Sequence, residues 1–221
     1  MWMKSPQREE PVSRVRTHQS RQASRAVRCH GRRSASGNSR TTEPVAAELA
    51  AHGQEVAAIA ARIAEEVDLA PEAIDHLRLA GLLHDIGKLW VPSRILEKEW
   101  PLTIAEWTVV QKHPENGALM LRAYGLDQES EWVLYHHERP DGLGYPFGLV
   151  GEDIPLESRI LALADAWSAM RSDRPHSAPL TNRSARCELE YTKGEQFDSM
   201  LVDVFLDRVE PYLEASRVPR H

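Results

Sequence analysis

Five histidines and three carboxylates of this 221-residue chain have the types and spacing of a metal cluster. Glu48 and His52 stand four residues apart, which on a helix puts them on one face. His84 and Asp85 are adjacent, just ahead of Gly87. Two neighbouring side chains can turn toward one point there, and Asp85 can give one oxygen to each of two ions. His113 precedes Pro114, a step that restricts the backbone and tends to close a helix, so capping is the competing role for this histidine. The doublet His136-His137 can offer one imidazole to each of two metals. Asp165 stands among Ile160, Leu161, Leu163, Ala164, Ala166 and Trp167. A buried carboxylate there needs a cation or strong hydrogen bonds, and a salt bridge to Arg159 or Arg171 is the alternative. His18, His30, His76, His176 and His221 fall outside the pattern, with His76 the nearest to inclusion.

Such a cluster suits phosphodiester hydrolysis. Metals a few ångströms apart lower the pKa of a shared water, supply hydroxide near Asp85 at neutral pH, and clamp the attacking and leaving oxygens. Nitrogen and oxygen ligands accept iron, manganese, nickel or zinc and do not choose among them. Cys29 and Cys187 are far apart and form no CxxC pair, which argues against both a disulfide framework and a thiolate site.

The elements that must position these residues read as helices. Residues 44–68 repeat Val45, Leu49, Val56, Ile59, Ala60, Ile63 and Val67 at helical spacing, and Pro71 opens a second helix as a first-turn proline. That second helix carries Ile74, Leu77, Leu79, Leu82 and Leu83 and is expected to stop at Gly87. Thr103 to Glu106 has capping-box spacing and starts a third, running to Tyr124-Gly125. A shorter helix follows over 128–137, then a loop of glycines and prolines over 138–155. Apolar sequence from Leu156 to Met170 and segments 182–193, ended by Gly194, and 199–213, capped by Asp198, complete the set. No segment alternates as a strand would. The expected fold is an all-α bundle of about seven helices with the histidines facing inward.

Charge divides the chain. Residues 1–42 hold nine Arg and one Lys against Glu9 and Glu10, about +8, whereas the remainder is about −14. This Arg- and Ser-rich stretch has no apolar period, so it is expected to be a disordered tail ahead of a folded domain at 43–221. A basic tail can touch nucleic acid or an anionic membrane, or serve as a transit leader; a plain solvated tail is the simpler reading. No secretory leader and no membrane-spanning run is seen, so a cytoplasmic location is expected. No sensor domain is read ahead of residue 43, and regulation is expected to come from elsewhere or not at all.

His84-Asp85-Ile86-Gly87-Lys88, Val91-Pro92, His113-Pro114-Glu115 and the run His136 to Pro146 closely resemble, in this order, the HD-GYP subgroup of the HD phosphohydrolases. The likeness continues through Ile154-Pro155, Arg159-Ile160, Asp165 and Gly194 to Asp198, covering roughly 44–213. The resemblance implies an HD-domain helical bundle with two or three divalent metals, iron or manganese before nickel or zinc. It also implies hydrolysis of cyclic di-GMP to pGpG or onward to GMP. Residue by residue, His52, His84, Asp85, His113, His136, His137 and Asp165 fall on the family's ligand positions, and Glu48 on the carboxylate for a third ion. Lys88 matches the lysine that contacts the scissile phosphate, which gives it a catalytic role beside Asp85. Gly142, Gly144, Tyr145 and Pro146 match the signature loop, whose implied role is structural or partner-facing.

The chain also departs from the family's pattern. Ser168 replaces a second Asp, Arg174-Pro175-His176-Ser177 replaces Arg-Pro-Tyr-Arg, and Ser199 replaces a Pro. Arg174 is still expected to bind a phosphate or guanine. Two other readings stay open. One is a hydrolase of another nucleotide, such as 3′,3′-cyclic GMP-AMP or a mononucleotide. The other is a non-catalytic module that docks on diguanylate cyclase domains through residues 142–146. No nucleic-acid polymer is expected as a specific partner, and a dimer is left open.

Overall fold

The computed structural model describes residues 42–98, 101–172 and 178–217, with the side chains of 42–46 and 48 outside the description. The basic stretch 1–41 also lies outside it, as do Arg174, His176 and Ser177. All regular structure among the described residues is helical: α1 (Thr42–Glu66), α2 (Pro71–Leu83), α3 (Ser93–Leu96), α4 (Ile104–Val110), α5 (His113–Ala123), α6 (Asp127–Tyr135), α7 (Leu156–Arg171), α8 (Asn182–Thr192), α9 (Ser199–Val204) and α10 (Glu210–Arg217). Short 3-10 helices add Ile86–Trp90 and Gly151–Asp153, and one π turn, Phe205–Val209, joins α9 to α10. The all-α expectation is met.

α1 and α7 run through the centre. Val56, Ile59, Ala60 and Ile63 of α1 and Ile160, Leu161, Leu163 and Ala164 of α7 are almost fully buried, joined by Leu77, Leu189, Leu201 and Phe205. Trp167 of α7 meets Phe205 edge to face at 4.9 Å. The small residues set how closely the helices approach. A Cβ on Gly53 would lie 2.4 Å from the Leu82 carbonyl oxygen, so α1 crosses α2 almost backbone to backbone. His52, next to Gly53, is thereby carried to the end of α2 where His84 stands.

Several expected start signals hold. Pro71 sits in the first turn of α2, and Thr103 and Glu106 form a reciprocal capping box on α4. Asp198 accepts from the N–H groups of Met200 and Leu201. Others need correction. α2 stops at Leu83, not Gly87, which instead lies within the 3-10 helix at 86–90. The single helix expected over 103–124 is two helices, broken at Gln111-Lys112. Pro114 does not close a helix; it sits in the first turn of α5, where its missing N–H would have had no partner anyway. The last helix runs on to Arg217.

Candidate metal centre

Three of the histidines sit at or just beyond helix ends, and that explains how their rings are held. The last carbonyls of a helix have no partner within it. His84 donates its Nδ1–H to Gly81 O in the last turn of α2 (2.7 Å). His113 does the same to Val110 O at the end of α4 (2.8 Å), and His136 to Val133 O in the last turn of α6 (2.6 Å). A carbonyl can only accept, so Nδ1 carries the proton and Nε2 points away from the helix.

Those Nε2 atoms converge. The rings follow one another closely, His52 to His84 at 5.2 Å, His84 to His136 at 5.3 Å and His113 to His136 at 5.4 Å. His113 Nε2 and His137 Nε2 lie 3.2 Å apart. Two triads result: His52, His84 and Asp85, and His113, His136 and His137. Asp85 stands between them, Oδ2 at 3.4 Å from His84 Nε2 and Oδ1 at 3.3 Å from His113 Nε2. Asp165 borders the first triad, with Oδ1 2.9 Å from His52 Nε2 and 3.9 Å from His84 Nε2.

The donor set fits divalent cations. His84 Nε2, Asp85 Oδ1 and His136 Nε2 are buried without a hydrogen-bond partner, a state that costs free energy unless something positive lies between them. Burial holds the His113 imidazole down to about 3 and the His136 imidazole to about 4, and His137 well below its ordinary value, so their lone pairs are available at neutral pH. Burial opposes charge on His84 too, but Asp85 and then Asp165 outweigh it and raise that pKa. Burial would raise the Asp85 carboxyl, yet Lys88, His84 and His113 hold it well below the usual carboxylate range. Asp165 is likewise held down, by His52 and His84 against burial.

Neither arginine proposed as a partner for Asp165 serves it. Arg159 pairs with Asp198 at 2.6 Å and Arg171 with Glu214 at 2.9 Å. Lys88 stands over the cluster, its Nζ 2.5 Å from Asp85 Oδ2. Glu48 lies in α1 one turn before His52, but its side chain is outside the described residues. His76, set apart at the sequence level, pairs with the buried Glu129 at 2.7 Å and belongs to neither triad.

His137 is seated by the signature loop. The Tyr145 ring stacks on it at 4.8 Å and 28°, and Trp107 meets Tyr145 edge to face. Burial, then Asp85 and Asp165, raise the Tyr145 hydroxyl well above its usual pKa, so the ring stays neutral beside the cluster. Gly142, Gly144 and Pro146 shape this loop, Gly144 lying against the backbone of Glu138 and Arg139 and Pro146 following a cis peptide bond.

The residue that sequence reasoning missed is Glu138. Almost fully buried, its carboxylate accepts from the N–H groups of Phe147 (2.6 Å), Gly148 (3.2 Å) and Leu149 (3.0 Å). In the sequence it stood beside the histidine doublet and inside the run His136 to Pro146, and neither place gave it a role. Glu138→Gln sets an amide N–H2 against backbone donors, and a loss of about 2 kcal/mol is expected. That corresponds to a melting temperature lower by about 4–8 °C. Faster amide exchange at residues 147–149 should accompany it; unchanged exchange there would refute the anchoring role.

A family model described as HD domain matches residues 21–201. The 3′3′-cGAMP-specific phosphodiesterase 2 of Vibrio cholerae is 37% identical over 169 residues, covering 75% of this chain and 32% of that protein. Cyclic di-GMP phosphodiesterase PA4108 of Pseudomonas aeruginosa is 40% identical over 167 residues, covering 73% of this chain and 39% of that protein. The chain therefore spans well under half the length of these curated relatives. Among solved structures, the HDG"Y"P protein Bd1817 from Bdellovibrio bacteriovorus superposes with a TM-score of 0.60 at 19% identity, over 75% of this chain and 52% of that one, a likeness of fold. No described helix is long and apolar enough to cross a membrane.

Proposed function

Since the chain belongs to the HD domain family, in its HD-GYP group, we propose that residues 43–221 are a metal-dependent phosphodiesterase that hydrolyses cyclic di-GMP to pGpG or GMP. The observation that carries this reading is the pair of triads with Asp85 standing between them and three polar atoms buried without a hydrogen-bond partner. When bound, divalent ions there supply a water acidic enough to lose its proton at neutral pH and neutralise charge on the phosphoryl oxygens.

The chain's own residues would do the rest. His52, His84, Asp85 and Asp165 would hold one ion, and Asp85, His113, His136 and His137 would hold the second; iron or manganese is favoured over nickel or zinc by family likeness. Glu48, on the same face of α1 as His52, is assigned to a third ion. Lys88, whose Nζ lies 2.5 Å from Asp85 Oδ2, would offer its charge to a phosphoryl oxygen beside the cluster. Arg174 is assigned to a phosphate or guanine. The loop at 142–146, which exposes Leu143, adjoins the site and is the candidate face for a diguanylate cyclase.

A second reading shares the metals and differs in the nucleotide. Relatives of similar identity are named for 3′3′-cGAMP and for cyclic di-GMP, so the substrate follows from pocket contacts outside the triads. The deciding experiment incubates metal-loaded protein with cyclic di-GMP, 3′,3′-cyclic GMP-AMP and GMP, with elemental analysis of the same sample. Turnover of cyclic di-GMP above the others, abolished by chelation and restored by manganese or iron, is expected. Preference for cyclic GMP-AMP would move the assignment to the second reading, and full metal loading with no dinucleotide turnover would reject both. Any metal bound beyond two equivalents should be lost in Glu48→Ala, with the two equivalents of the triads retained.

A further inference from the structure

His52 differs from His84, His113 and His136 in where it stands. It lies in the middle of α1, where the helix's own hydrogen bonds take up the backbone carbonyls, so the fixing device of the other three rings is closed to it. Its Nδ1 instead faces Ser168 Oγ on α7 at 3.1 Å. Ser168 Oγ in turn lies 2.8 Å from Glu55 Oε2, one turn along α1 from His52. Ser168 is fully buried.

The direction of these bonds follows from proton counting. A hydroxyl has one proton, and a carboxylate accepts only, so Ser168 donates to Glu55. Its oxygen is then left to accept, and the donor must be His52 Nδ1–H. Ser172 does not compete for this role, because its single proton goes to the Ser168 carbonyl at 2.7 Å and its oxygen is 3.3 Å from Glu55. The result is a directed chain from His52 through Ser168 to Glu55 that turns Nε2 toward Asp165 Oδ1 at 2.9 Å, a hydrogen bond in the metal-free protein whose proton a bound ion would replace.

We propose that Ser168 and Glu55 are positioning residues which fix the His52 tautomer and ring orientation, and so set the affinity of the ion held by the His52, His84 and Asp85 triad. The inference rests on reading the cluster as a metal centre. It reinterprets Ser168, which at first sight is the loss of a carboxylate: the carboxylate is present, supplied by α1 and reached through a hydroxyl. Outer partners of this kind are worth about 10–100-fold in metal affinity.

The test is zinc titration against a chromophoric chelator, with ¹⁵N NMR of the histidine rings in the zinc-loaded protein. Wild type should show His52 as the Nδ1–H tautomer and two tight zinc equivalents. In Ser168→Ala, one equivalent should weaken about 10–100-fold while the other keeps its affinity, and the metal-free melting temperature should hold within about 2 °C. The double variant Ser168→Asp with Glu55→Ala puts a carboxylate directly on Nδ1 and should restore tight binding, which a mere packing role for Ser168 would not. Unchanged zinc affinity in Ser168→Ala, equal weakening of both ions, or no rescue by the double variant would each overturn the proposal. Zinc binding that follows this pattern without any dinucleotide turnover would leave the relay standing and remove only the phosphodiesterase reading.

Discussion

Asp85→Ala is expected to lower dinucleotide turnover at least about 1000-fold and to reduce bound metal from two ions to one or none. Of the described carboxylates in the cluster, Asp85 alone faces both triads, one oxygen within 3.4 Å of His84 and the other within 3.3 Å of His113. Its Oδ1 is buried and without a hydrogen-bond partner, so its anionic charge is compensated only by neighbouring cations. The groups that hold this carboxyl ionised, Lys88 first and then His84 and His113, are those that a bound ion would join or displace. On the proposed reading, removing the side chain would therefore remove the link between two sites as well as one ligand of each. Asp85→Asn is the control of equal size: the amide keeps the shape and lacks the charge, and it should lose nearly as much. Metal analysis and turnover on the same preparations decide the matter. An alanine variant that keeps two ions and works within about tenfold of wild type would show that Asp85 is not the bridge.

The cluster could be read in the sequence because it is built from residue types that seldom lie buried without a purpose. His52, His84, Asp85, His113, His136, His137 and Asp165 all come together as their types suggested. What holds them was less legible. That His84, His113 and His136 each cap the helix behind them depends on where α2, α4 and α6 stop, and two of those ends were misplaced. Gln111 and Lys112 are good helix formers, and the one local signal, Pro114, pointed to a helix end without showing that a new helix opens there; the break lies where His113 takes the Val110 carbonyl and α5 restarts behind it. Glu138 serves backbone donors nine to eleven residues on, a pattern that only a folded loop reveals. Ser168 has its partners more than a hundred residues away on α1, and from the sequence it could only be seen as a missing aspartate.

Gly87→Ala is the substitution expected to damage both fold and site from a position that touches no metal. The 3-10 helix at 86–90 lies so close to α5 that a Cβ on Gly87 would sit 2.0 Å from the His113 carbonyl oxygen and 2.6 Å from the Gly117 nitrogen. Both are backbone atoms, and neither can rotate away. Ordinary contact requires the two segments to part by more than about 1 Å. Overpacking of this kind costs about 3 kcal/mol, or about 6–12 °C in melting temperature for a chain of this size. The same parting would separate Asp85 from His113, because these segments carry the two side chains whose atoms are 3.3 Å apart. A misplacement of that size at a reacting centre is worth about 100-fold in rate. Melting curves of the chelated and metal-loaded variant distinguish the two effects. The chelated protein should melt lower than wild type, and the stabilisation gained on adding manganese should shrink, since Asp85 and His113, which would hold a shared ion, are drawn apart. If Gly87→Ala melts with wild type and gains as much from manganese, the close approach of the 3-10 helix to α5 does not set the distance between the two triads.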